Sequence, residues 1–208
     1  MAREGLAAQH ANDSNGIRSL YDDWSVSYEA DIAQWGYEAP RVAAKLLAKH
    51  ASSKAQIIDV GCGTGLVGAA LAAEGFHDVV GIDTSSASLD IAAKTGFYRA
   101  LDEHDLTDLP TSLPEDHFGG LICVGVMTYL PDVAATCREF ARVVEVDGPI
   151  VLTQRTDLYE QRKTDDAFQE LVDDGTWTMV EVSEPMPYLP THPEYQDIDV
   201  RYGVFRST

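Results

Sequence analysis

The chain has 208 residues, 45% of them apolar, enough for one sizeable core and too few for two comfortable domains, so residues 1–208 are expected to form a single domain. Its 34 acidic residues outnumber 15 basic ones and give a formal charge of −19, with the acids spread along the chain and no basic stripe among them. Such a surface repels polyanions and sets nucleic acid aside as a partner, while it favours solubility. No apolar run approaches the roughly 18 residues of a membrane span. Met1-Ala2-Arg3-Glu4-Gly5 opens no signal core, so no membrane partner is expected and the location is expected to be cytoplasmic. Cys62, Cys123 and Cys137 are odd in number and widely spaced, with no C-x-x-C pair, and read as reduced, buried thiols, so no metal site is expected.

Residues 1–16 are polar and irregular, a flexible start ending in Asn12-Asp13-Ser14-Asn15-Gly16. Residues 17–52 read as an N-terminal helical cap of two amphipathic helices. Leu20, Tyr21, Trp24 and Tyr28 recur at helical steps, as do Val42, Ala43, Leu46 and Leu47, and the two sets are split near Trp35-Gly36-Tyr37 and Pro40.

Strands and helices then alternate. Gln56 to Val60 is a short apolar strand, Leu66 to Glu74 a helix closed by Gly75, and Val79 to Asp83 a second strand before a helix from Ser85 to Lys94. Gly96 to Leu101 is expected as a third strand and Gly120 to Val126 as a fourth, buried on both faces. Val133 to Val143 is helical, Ile150 to Gln154 is a fifth strand, and Asp157 to Asp173 reads as one helix. Trp177 to Val182 and Ile198 to Phe205 close the chain as an antiparallel pair. The segment between them, Ser183 to Asp197, is too rich in proline to pair in a sheet and reads as a stiffened lid. The pattern is α/β, an open and mostly parallel sheet with helices on both faces.

The first strand runs into Asp59-Val60-Gly61-Cys62-Gly63-Thr64-Gly65. A glycine-rich turn between strand and helix lets the backbone approach a ligand and aims amides and the helix N-terminus at it. Gly63 to Gly68 also spells G-x-G-x-x-G, so a nicotinamide or flavin enzyme stands beside other nucleotide users. Asp59 separates them. A carboxylate inside the strand needs a partner, which an ammonium-bearing ligand supplies and a pyrophosphate does not. Asp83, ending the second strand, can accept from ribose hydroxyls in either class, or cap the next helix. Asp105, after the third strand, can meet an adenine amino group with Leu106 against the ring, or be a surface turn residue.

These motifs resemble the class I, S-adenosylmethionine-dependent methyltransferases, with Asp59 to Gly65 as the first motif, Asp83 the second, Asp105-Leu106 the third and Leu121-Ile122-Cys123-Val124-Gly125 the fourth. More narrowly, Tyr21 to Tyr28, Gly65-Leu66-Val67-Gly68 and the Val124-Gly125 step are similar to the Williams-Beuren-region methyltransferase-like proteins. The resemblance implies S-adenosyl-L-methionine as cofactor and a Rossmann-like, seven-stranded sheet of order 3-2-1-4-5-7-6 with strand 7 antiparallel. It implies cofactor contacts from Gly61, Cys62, Gly63, Thr64, Gly65 and Leu66, from Asp59, from Asp83 with Thr84 and Ser85, from Asp105 with Leu106, and from Val124. In related enzymes the preceding helix folds over the cofactor, which brings in Tyr28 and, behind it, Trp24 and Tyr37. The chain departs from the family at Phe118-Gly119-Gly120, where relatives have Phe-Asp.

Methyl transfer from a sulfonium is an in-line displacement, so the protein's tasks are alignment and exclusion of water, and a dedicated catalytic residue is not required. The acceptor is expected at the loops after strands four, five and six, at Met127 to Pro131, Gln154 to Asp157 and Ser183 to Asp197. Tyr129 and His192 are the candidate bases, although a packing tyrosine and an exposed loop histidine are the more common reading, and no base is assigned. Val124-Gly125-Val126-Met127 replaces the Asn-Pro-Pro-Tyr segment that serves planar amines, and there is no Pro-Cys nucleophile. A small-molecule acceptor is expected. The alternatives are a protein side chain as acceptor, an NAD-dependent oxidoreductase, or a protein that binds the cofactor without catalysis.

Overall fold

The computed structural model describes residues 32, 34–130 and 132–208. Trp24, Tyr28 and the first cap helix lie outside them. The second cap helix is α1 (Ala39–His50), entered through Pro40 and carrying Lys49 and His50 at its negative end. Its Ala43, Ala44 and Leu47 face inward onto the sheet.

Five strands run parallel or lead into the parallel sheet: β1 (Ile57–Val60), β2 (Val79–Asp83), β3 (Ala100–Glu103), β4 (Gly120–Cys123) and β5 (Pro149–Arg155). The helices between them are α2 (Leu66–Ala73), α3 (Ser86–Thr95) and, after β4, a 3-10 turn (Met127–Tyr129) followed by α4 (Val133–Val143). After β5 come α5 (Thr156–Gln161), α6 (Thr164–Asp173), β6 (Trp177–Val182), β7 (Met186–Pro187) and β8 (Asp199–Ser207). The order across the sheet is β3-β2-β1-β4-β5-β8-β6, and β8 is antiparallel to both neighbours. This is the expected 3-2-1-4-5-7-6 arrangement, with β8 in the seventh place. β1 and β4 are buried along their whole length, as befits strands covered on both faces.

Alternation along β1 divides the core. Ile57 faces α1 and α2 with Leu47, Leu71, Ile122 and Val151, while Ile58 and Val60 face α4 and α6 with Phe140, Phe168 and Leu171. On the second face Trp177 stacks on Phe205 with centroids 3.9 Å apart, and its indole N–H donates to the Phe168 carbonyl at 3.1 Å.

Four expectations are corrected. β3 starts at Ala100, not Gly96, because Gly96 closes α3 in the left-handed conformation (φ 73°) and residues 97–99 cross to the next strand. β4 stops at Cys123, and Gly125 turns the chain with φ 78°. The single helix expected from Asp157 to Asp173 is two, because Lys163 adopts φ 50° and breaks it. Lastly, the proline segment does pair: Met186 and Pro187 lie against Val200 and Asp199, adding an eighth strand. Proline is tolerated there because β7 is an outer edge, where a missing N–H costs no ladder bond.

Candidate active site

A cleft opens at the carboxyl ends of β1, β2 and β4, the position that parallel sheets reserve for ligands. Its floor is the turn after β1. Gly61, Gly63 and Gly65 take φ values of 72°, 52° and 105°, which side chains rarely adopt. The amides of Gly61 and Cys62 both donate to the Ile82 carbonyl, at 2.8 and 3.0 Å, and tie the turn to β2. A Cβ on Gly61 would stand 2.1 Å from Val126 Cγ2, so the turn also abuts the loop after β4.

Asp83 braces this floor. One carboxylate oxygen accepts from the Gly63 amide at 2.8 Å and the other from the Ser85 amide at 2.9 Å. Ser85 itself is the N-cap of α3, accepting from the Ser88 amide at 3.1 Å. The helix-capping role weighed for Asp83 thus falls to Ser85, and Asp83 faces the cleft beside Thr84. Asp105 stands at the rim, exposed, with one oxygen accepting from the amide and hydroxyl of Thr107 at 2.9 and 2.7 Å. That is a turn residue's bond, yet Asp105, Leu106 and Thr107 also line the cleft.

Of the residues singled out in the sequence, Tyr37, Gly61, Cys62 and Gly63 line the cleft, as do Thr64, Leu66 and Val124. Asp59, Gly65 and Ser85 lie behind its wall. Asp59 is fully buried, and its first partner is one that sequence reasoning missed. The Tyr98 hydroxyl donates to Asp59 Oδ2 at 2.7 Å, while Oδ1 has no partner. Burial pushes the Asp59 carboxyl up to about 7, the Tyr98 hydrogen bond pulls it down, and the Asp83 charge adds to the rise. Burial and the charges of Asp59 and Asp83 likewise push the Cys62 thiol well above its ordinary range, so it stays protonated and is no nucleophile.

The other end of the cleft is built from three tyrosines, Tyr37, Tyr129 and Tyr188, with Leu130. Tyr37 and Tyr188 meet edge to face with centroids 5.6 Å apart. Tyr129 and Leu130 ride on the 3-10 turn, which is held by Arg162. Its guanidinium donates to the carbonyls of Met127, Thr128 and Leu130 at 2.8, 2.8 and 2.7 Å. The break between α5 and α6 puts Arg162 where it can reach them. Behind Tyr188 lies Arg155, 8% exposed, bound by both oxygens of Asp157 at 3.0 and 2.5 Å, with Cζ 5.7 Å from the Tyr188 ring and 4.9 Å from Tyr195. His192 is not the exposed loop residue expected. It is 8% exposed, away from the cleft, packed edge-on to Trp35, and its Nδ1 accepts from the Glu194 amide at 3.0 Å.

The donor set fits S-adenosylmethionine. The glycine turn leaves room for a ligand against the backbone, and Asp83 ends β2 where ribose hydroxyls can donate to it. Thr64 lines the cleft, and its Oγ1 and Asp59 Oδ1 are buried without partners. Such groups are rare in folded proteins, and two beside one turn mark a place for a polar ligand.

Residues 58–152 match the family described as methyltransferase domain. The chain is 35% identical over 142 residues to the human methyltransferase-like protein 27, covering 66% of this chain and 57% of that protein. It is 32% identical over 103 residues to a ubiquinone biosynthesis O-methyltransferase of Neisseria meningitidis, covering 46% of this chain and 42% of that one. The chain therefore spans about half the length of these curated relatives. Among solved structures, the [4+2]-cyclase SpnF superposes with a TM-score of 0.71 at 15% identity, covering 93% of this chain and 96% of that one. That likeness is one of fold, and its name shows that the fold does not by itself fix the reaction. The family match over residues 58–152, the sheet order and the cleft together support a class I, S-adenosylmethionine-dependent methyltransferase domain.

Proposed function

We propose that the protein transfers the methyl group of S-adenosylmethionine to a small, uncharged acceptor, in the cytoplasm and without nucleic acid or membrane partners. The observation that carries this reading is the acceptor end of the cleft. Among the described residues it is lined by tyrosines and apolar side chains, while the charged cleft residues, Asp83 and Asp105, lie at the nucleoside end. Of the described cations behind this end, Arg155 is paired with Asp157 and Arg162 is engaged by three backbone carbonyls. A charged acceptor would find no partner there, whereas a planar one can stack on the rings. The Neisseria relative, named as an O-methyltransferase, supports an oxygen nucleophile.

The bound cofactor supplies an electrophilic methyl group on a sulfonium. This chain's share is placement: Asp83 and the glycine turn orient the nucleoside, and Tyr37, Tyr129 and Tyr188 wall off water around the acceptor. Three buried, free cysteines suit a reducing compartment. No helix among the described residues is long and apolar enough to cross a membrane.

The test is transfer of labelled methyl from S-adenosylmethionine into a host extract fractionated by size. Label is expected among small molecules. Label on protein alone would replace the acceptor class, and cofactor binding without any transfer would leave a binding protein.

A further inference from the structure

The G-x-G-x-x-G of Gly63 to Gly68 ends in a glycine that takes no part in the cleft. Gly68 lies inside α2, buried, with ordinary helical backbone, where alanine is the better residue. What excludes alanine is a ring. A Cβ on Gly68 would stand 2.5 Å from Tyr98 Cζ and 2.6 Å from its hydroxyl oxygen. Gly81, in register with Asp59 on β2, would put a Cβ 2.9 Å from Tyr98 Cδ1, and Gly65 one 3.3 Å from Cε2. Glycines on the turn, on α2 and on β2 thus clear a slot for one phenol, delivered from the crossing between α3 and β3. In that slot the hydroxyl accepts from the Gly68 amide at 3.0 Å and donates to Asp59 Oδ2 at 2.7 Å.

Asp59 is left fully buried with Oδ1 unpartnered, two residues before the cofactor turn. Among the described residues, the titratable groups that face it are Tyr98, Asp83, Cys62 and Cys123, none of them a cation. A buried carboxylate without a compensating charge is costly, and a cationic ligand relieves it.

We propose that Tyr98 is a positioning residue for the cofactor: it fixes the Asp59 carboxylate by one oxygen and leaves the other for the ammonium of the cofactor's amino-acid end, directly or through water. The inference rests on the cofactor assignment above. It also explains the look-alike motif, whose last glycine here admits a phenol.

The experiment is calorimetric titration with S-adenosylhomocysteine and with methylthioadenosine, which shares the nucleoside and lacks the ammonium. Tyr98→Phe weakens S-adenosylhomocysteine about tenfold, near 1.4 kcal/mol, and leaves methylthioadenosine within about twofold. In the wild-type chain, affinity for S-adenosylhomocysteine falls as the pH drops below about 7, where Asp59 takes up a proton. Methylthioadenosine, which has no ammonium to meet Asp59, keeps a flatter profile. Gly68→Ala lowers Tm in the wild type and raises it in a Tyr98→Leu background. Equal losses on both ligands, or parallel pH profiles, overturn the positioning role. A Gly68→Ala effect that is the same in both backgrounds overturns the slot. A wild-type chain that binds neither ligand overturns the cofactor assignment itself.

Discussion

At the β1–β2 side, the cleft is held by backbone. Amides of Gly61, Cys62 and Gly63 are bonded to Ile82 and Asp83, and three glycines in left-handed conformations set the curvature. At the β4–β5 side, side chains hold loops. Arg162 grips three carbonyls from more than thirty residues away, and the Arg155–Asp157 pair backs Tyr188. The first half is preorganised by local geometry that tolerates little change. The second is pinned at a few points, and its walls can vary while the pins stay, an arrangement suited to one cofactor and a family of acceptors.

The sharpest break in that contrast comes from Gly61→Ala. The variant forces a side chain to φ 72° and drives its Cβ to 2.1 Å from Val126 Cγ2. Backbone strain costs about 1–3 kcal/mol and overpacking roughly another 1–3 kcal/mol. Denaturant unfolding should register the sum, and S-adenosylhomocysteine affinity should fall by at least about a hundredfold. Gly63→Ala is the comparison, since a Cβ there meets nothing within 4 Å and only the strain remains. Equal stability losses would show that Val126 yields and that the turn is softer than its geometry implies.

The next effect is a pH dependence of the same half. The folded state raises Asp59 from its ordinary 3.8 to about 7, so the native chain binds a proton that the unfolded chain has released. The stability associated with that proton is fully present below about 3.8 and is lost as the pH climbs through about 7. The loss is on the order of a few kcal/mol. Tm measured between pH 4 and 8 should therefore fall for the ligand-free wild type relative to Asp59→Asn. Superimposable profiles would mean that Asp59 is solvated or paired in solution.

Legibility divides along the same line. The glycine turn, Asp83 at the end of β2 and the alternation of strands and helices were readable because each rests on residues close in sequence or on a period that burial imposes, whereas the strand order followed from the family resemblance. α4 and β6 were readable to the residue: Asp132 caps α4 by accepting from the Ala135 amide at 2.9 Å, and Trp177 marks the start of β6. Tyr98 was not readable, since its meaning depends on Gly68, Gly81 and Asp59 meeting in space. The helix break at Lys163 was hidden because a lysine in the left-handed region carries no sequence signal, and its purpose, Arg162 reaching the 3-10 turn, is a long-range contact. The pairing of Pro187 was missed because a rule for central strands was applied to an edge.

A smaller effect, confined to the acceptor half, is expected from Arg162→Met. The thioether keeps most of the stem's packing and removes three charge-assisted bonds, leaving the Thr128 and Leu130 carbonyls to find water while that of Met127 keeps the Leu130 amide. A stability loss of about 2–3 kcal/mol is expected. The decisive measurement is the split: kcat/KM for the acceptor should drop while S-adenosylhomocysteine affinity stays within about twofold. A parallel fall in cofactor affinity would mean that the two halves are mechanically one.

The smallest effect tests the edge of the cofactor half. Asp83 and Asp105 both follow strands in the expected places, yet Asp83 is bonded to two backbone amides at the heart of the turn, and Asp105 is exposed and bonded only within its own loop. An exposed carboxylate competes with water for any adenine amino group it meets, so its net contribution is about 1 kcal/mol or less. Asp105→Ala should weaken S-adenosylhomocysteine no more than about fivefold, with Tm little changed, because the carboxylate is exposed and bonds only Thr107. Asp83→Ala, in contrast, should lower both affinity and Tm, since it frees the Gly63 and Ser85 amides together. If Asp105→Ala matched Asp83→Ala in affinity, the loop after β3 would have to close over the adenine on binding and bury the carboxylate, and the preorganised half would not be preorganised to its rim.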